Sequence, residues 1–110
     1  MARRLVREKL EEWGLDDMVD PAELIVSELV SNALKTGGLT FMQVAIRRPA
    51  RGYVRVFVRD GSRELPVLME AGVDEECHRG LALVHHLTGG RWGAMLDPRG
   101  KSVHADLPVP

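Results

Sequence analysis

The chain has 110 residues, is 45% hydrophobic and carries a formal net charge of -1. That is enough for one domain with one core, and it excludes both a global basic field for nucleic acid and an acidic tail. A single cysteine, Cys77, excludes an internal disulfide framework and fits a reducing compartment.

The opening MARRLVREKLEE mixes both charges and does not read as a signal peptide. Ala2 to Trp13 reads as a helix with Leu5, Val6, Leu10 and Trp13 on its apolar side, ended by Gly14. A second helix is expected from Pro21 to Thr36, with Asp20 as N-cap, Pro21 at the first position and Glu23 completing a capping box. Gly37-Gly38 ends it.

Two alternating segments follow, Leu39 to Arg48 and Tyr53 to Asp60, joined by a turn at Pro49 to Gly52. They predict a hairpin with Val54, Val56 and Val58 on one side. Gly61 to His78 shows no sustained period and reads as a long loop, and such loops in compact domains are usually functional. Arg79 to Leu87 predicts a third helix, Arg91 to Leu96 a short strand and Lys101 to Leu107 a last strand after a turn at Asp97 to Gly100. No apolar run approaches the ~18 residues of a membrane span. The order predicts a single α+β domain over residues 1–110. Its architecture is a two-layer sandwich, with helices on one face of a mixed, mainly antiparallel sheet.

The second helix poses the functional question. On a wheel of 100° per residue, Ile25, Val26, Leu29, Val30, Ala33 and Leu34 fill one arc, while Leu24, Ser27, Ser31 and Lys35 lie opposite. Glu28 and Asn32 sit one turn apart at the boundary, so they line the edge of whatever the helix covers. An amide oxygen suits Mg²⁺, and a neighbouring carboxylate can orient water or accept a proton. An idle surface pair fits the same pattern. Asp60 ends a strand beside Gly61, where a carboxylate can accept from an exocyclic amino group, although an ordinary Asp-Gly turn looks the same. Gly80 opens the third helix as predicted, and free N–H groups at a helix start bind phosphate.

Together, Glu28-Leu-Val-Ser-Asn32-Ala, Val58-Arg-Asp60-Gly-Ser62 with Pro66 beyond, Arg79-Gly80-Leu-x-Leu-Val and Gly100-Lys101-Ser102-Val103 form an ordered set. With these boxes the chain resembles the ATP-binding domain of the anti-sigma-factor serine kinases, relatives of the histidine kinase and gyrase ATPase domains. The resemblance covers nearly the whole chain. It implies the histidine kinase-like ATPase fold without its usual first strand, and ATP and Mg²⁺ as ligands. Asn32 would hold the metal, Glu28 would be the catalytic base, and Asp60 would read the adenine amino group. Lys35, Ser62, Pro66, Arg79, Gly80, Leu81 and Ser102 would complete the nucleotide site. Thr36 stands where the family usually has histidine, and His78 where it has the first glycine of Gly-x-Gly.

By that resemblance the chain is expected to be a cytoplasmic serine/threonine kinase and anti-sigma factor. It would act on a sigma factor and an antagonist protein, as a homodimer joined through the sheet edge that the missing strand leaves open. The alternative is a nucleotide-binding module that sequesters a partner without turnover. Neither reading involves direct contact with nucleic acid or a membrane. Arg47, Arg48, Arg51, Arg55 and Arg59 could make one strand face basic, with Arg47, Arg55 and Arg59 pointing the same way. Such a face is usually solvated, and the alternative is a docking face for an acidic partner.

Overall fold

The computed structural model describes residues 2–35, 42–61 and 76–110, with the side chains of residues 35 and 76–80 left aside. The elements are helix α1 (Ala2–Glu12), a 3-10 turn (Asp16–Met18), helix α2 (Val19–Lys35), strands β1 (Met42–Ala50) and β2 (Tyr53–Asp60), helix α3 (Glu76–Thr88), and strands β3 (Trp92–Asp97) and β4 (Gly100–Pro108). The fold is α+β. Four strands form one sheet in the order β1-β2-β4-β3, and every described pairing in it is antiparallel.

Helix α1 stops where a left-handed residue is needed. Gly14 has φ 72°, the Leu15 N–H donates to the Leu10 carbonyl and the Gly14 N–H to Glu11. This double closure satisfies carbonyls that the helix end would leave unpaired. Helix α2 begins at Val19, two residues before the expected start, so Asp20 and Pro21 lie in its first turn. Proline is tolerated there because those N–H groups have no partner within the helix. Glu23 does not close a capping box. Its carboxylate takes a two-pronged bond from Arg7 of α1, at 3.2 and 3.0 Å, which ties the two helices together.

The sheet buries one face. Val54, Val56 and Val58 of β2, with Val103, Ala105 and Leu107 of β4, pack against Val6, Leu10, Ala22, Ile25, Val26, Leu29 and Ala33 of the helices. The period of two does this: alternate residues of each strand face the helices and the rest face away. The helical wheel places Leu34 in the apolar arc of α2. Instead it is 49% exposed, one step round the helix from the buried stripe.

The opposite face of the sheet carries Tyr53, Arg55, Phe57 and Arg59 of β2, and Ser102, His104 and Asp106 of β4. It is not a basic face. Arg55 donates twice to Asp106, at 2.8 and 3.0 Å, and Arg59 pairs with Asp97. Arg47 lies over the Phe57 ring, with 5.6 Å from its guanidinium carbon to the ring centroid.

Candidate functional site

One end of the sheet concentrates the chemistry. Met42 of β1, Asp60 of β2 and Lys101 of β4 lie side by side across the three strands. Asp60 continues the inward series of Val54, Val56 and Val58, and Lys101 that of Val103, Ala105 and Leu107. Both charged residues therefore point toward the helices. Lys101 Nζ lies 3.1 Å from Asp60 Oδ1, and neither side chain is exposed to solvent at all.

Taking two charges out of water costs more than most pairs return, but removing one partner alone costs more still. Asp60 is thus locked to its neighbour. Gly100 sets the closeness of the fit. A Cβ there would come within 1.9 Å of the Asp60 carbonyl oxygen, so only glycine lets β4 approach the end of β2.

Ser102 does not belong to this constellation. It pairs with Arg59 and lies half-buried on the opposite face of the sheet. The alternation that sends Val103 and Lys101 inward sends Ser102 outward. Lys101, unassigned from the sequence, takes the place beside Asp60. Its inward parity with Val103, Ala105 and Leu107 was the available signal, but a lysine is rarely fully buried.

Helix α2 runs over this end. Asn32 is 5% exposed and Glu28, one turn earlier, is half-buried. The boundary position expected for the pair is the one observed. Glu28 makes no ion pair among the described residues. Lys35 closes the helix, and its side chain lies outside the described residues. Ser62 and Pro66 lie outside them altogether, as do Thr36 and most of the predicted loop.

The third glycine-bearing box needs correction. Helix α3 begins at Glu76, so Gly80 falls in its second turn, and Arg79 and Leu81 flank it there. Within a helix the Gly80 N–H is committed to the carbonyl four residues earlier, and the free N–H groups belong to the turn that opens at Glu76. The helical pattern extends upstream because Glu76 to Arg79 holds no helix breaker. Leu81 is 2% exposed, an apolar side chain facing inward rather than a polar contact.

Electrostatics away from this end are balanced by pairing. Hydrogen bonding from Arg7 holds the Glu23 carboxyl below its ordinary range, and Arg59 does the same for Asp97. Burial pushes His104 down, assisted by the Arg55 cation and opposed by Asp106.

The donors suit Mg²⁺ and a nucleotide in part. Among the described residues no group of three or more His, Cys, Asp and Glu side chains could hold a metal alone. A divalent ion here would arrive with a triphosphate and take one amide oxygen, for which the buried Asn32 is placed. A carboxylate offers about four lone-pair positions, and Lys101 occupies one on Asp60. Adenine could reach that carboxylate only after whatever covers it gives way. No protein-family model matches the chain, and no curated protein matches it in sequence.

Among the described residues no helix is long and apolar enough to cross a membrane.

Proposed function

We propose that the chain is an ATP-binding regulatory protein of the anti-sigma-factor serine kinase type. The observation that carries this reading is the placement of Asn32, buried on α2, and Asp60, buried at the end of β2. The two residues that the resemblance assigns to metal and adenine both lie between the same helix layer and the same sheet.

In this reading Asn32 holds Mg²⁺ and Asp60 accepts from the adenine amino group. The bound nucleotide supplies the phosphoryl group. Glu28, half-buried and with no ion pair among the described residues, takes the proton of the attacking serine hydroxyl on an antagonist protein. Such chemistry rests mostly on positioning and charge neutralisation, so few side chains suffice.

A second reading is favoured by the Asp60–Lys101 pair. A carboxylate already bound to a buried ammonium is a poorer acceptor for adenine. The chain would then be a partner-sequestering module in which nucleotide is bound weakly and not turned over.

Calorimetry with ATP, with and without Mg²⁺, tests the nucleotide site, and GTP competition tests Asp60. Metal-dependent ATP binding that GTP does not displace supports the site. Absence of binding overturns it. Phosphoryl transfer to a serine protein then separates the kinase from the sequestering module.

A further inference from the structure

A second flank of helix α2 borders a groove. Val30 and Leu34 lie across the buried stripe from Glu28 and Asn32, and Ser27 and Ser31 follow them on the exposed side of the helix. With Ala2, Arg3 and Leu5 of α1 and Met42 and Val44 of β1 they line a groove of about 820 Å³. The helix layer leaves this part of the sheet partly uncovered: Leu5 is 36% and Leu34 49% exposed.

The groove runs beside β1, the edge strand of the sheet. Met42 to Arg47 pairs in unbroken register with β2 on one side only among the described residues. An edge of this kind presents backbone donors and acceptors to an added strand. The register shifts between Arg47 and Ala50, and Pro49 lies in that shift, which limits an added strand to the first part of β1.

Charge selects the occupant. β1 has no acidic residue. Arg3 at the groove and Arg47, Arg48 and Arg51 along and beyond the strand are exposed, and none makes an ion pair among the described residues. Arg55 and Arg59, one strand further in, are each matched by an aspartate. A second copy pairing antiparallel over Met42 to Arg47 would set its Arg47 opposite Met42 and bring no carboxylate to these arginines, so it leaves their charge unmatched.

We propose that the β1 edge and its groove bind an extended segment of a partner protein in which apolar and acidic residues alternate. Its apolar side chains enter the groove beside Val30, Leu34 and Val44. Its acidic ones lie on the opposite face of the lengthened sheet, toward Arg47, with Arg48 close by. Binding at this surface needs no bound nucleotide.

The test uses a fluorescein-labelled synthetic peptide alternating valine and glutamate, with a valine–lysine peptide as control. Fluorescence anisotropy follows binding to the full chain without nucleotide. Saturable binding of the acidic peptide only is expected. Arg47→Glu with Arg48→Glu should weaken it about tenfold or more, and Ser31→Trp, which fills the groove, should do likewise. Circular dichroism melts confirm that the variants remain folded. Equal binding of both peptides, no saturable binding, or unchanged binding by folded Ser31→Trp overturns the proposal. So does a stable dimer in light scattering that the arginine reversals dissociate, because the occupant is then a second copy.

Discussion

Lys101 Nζ and Asp60 Oδ1 are 3.1 Å apart on adjacent central strands, and both side chains are sealed from solvent. The pair is a structural commitment. Each charge in the interior is offset by the other.

Lys101→Met should therefore be severe, leaving a carboxylate buried without its ammonium. A loss of ~3–5 kcal/mol is expected in urea unfolding. Combining it with Asp60→Leu should restore most of that loss, since paired removal of a buried ion pair is often neutral or stabilising. Additive losses in the double variant would show that the two side chains do not act as a unit.

Gly100→Ala should destabilise at the upper end of the ~1–3 kcal/mol typical of overpacking, because the new methyl meets backbone that has nowhere to go. Gly52→Ala is the matched control. Nothing lies within 4 Å of a Cβ there and its φ is not positive, so its midpoint should stay within ~0.5 kcal/mol of the parent or rise slightly.

Stability should fall with acid in two windows. His104 titrates lower in the folded state than its ordinary value of 6.5, so the fold resists the proton. Stability is complete above that value and declines as pH drops below it toward the folded pKa. Glu23 and Asp97 are also depressed, and their contribution is present above the ordinary carboxylate range and lost as pH falls through their folded values. Denaturation midpoints between pH 7 and pH 3, as orders of magnitude in [H⁺] about these ranges, resolve the two. His104→Asn should flatten the upper window and Arg7→Met the lower. Unchanged slopes in both variants would contradict the assignment.

The nucleotide reading separates the two polar residues of α2. Asn32→Ala should sharply reduce Mg-ATP affinity in calorimetry and reduce metal-free ADP binding less. Glu28→Ala should leave binding intact or tighter and reduce transfer by roughly 10²–10⁴. Parent-like Mg-ATP binding by both variants would make the pair an ordinary helix surface.

The strands were legible because their alternation is strict. Tyr53 to Asp60 was read with its observed bounds, and its three inward valines follow from parity alone. The flank position of Glu28 and Asn32 followed equally from the helical period. What failed depended on tertiary partners. Glu23 looked like a capping residue until Arg7, on another helix, claimed it. Arg47, Arg55 and Arg59 looked like a basic stripe because Asp106 and Asp97, which neutralise two of them, come from β4 and the end of β3. Ser102 was chosen by motif over Lys101, although the alternation of β4 already pointed to the lysine. Gly80 was taken for a helix start because glycine is a common boundary signal. The true start at Glu76 has a different signal, the acidic run Asp74-Glu75-Glu76, which favours a helix N-terminus.

Helix α2 is a rod of 17 residues whose buried stripe lies between two flanks. Glu28 and Asn32 border one side, and Val30 and Leu34 the other. Were the rod to turn about its axis, one flank would move toward the sheet as the other lifted away. A ligand that preferred one rotational setting would then change the free energy of binding on the far side. Thermodynamic reciprocity then requires the return effect to have the same factor. A nucleotide that loosens a docked strand by a given ratio must itself be loosened by that strand in the same ratio. One equilibrium titration of each ligand in the presence of the other measures a single number twice.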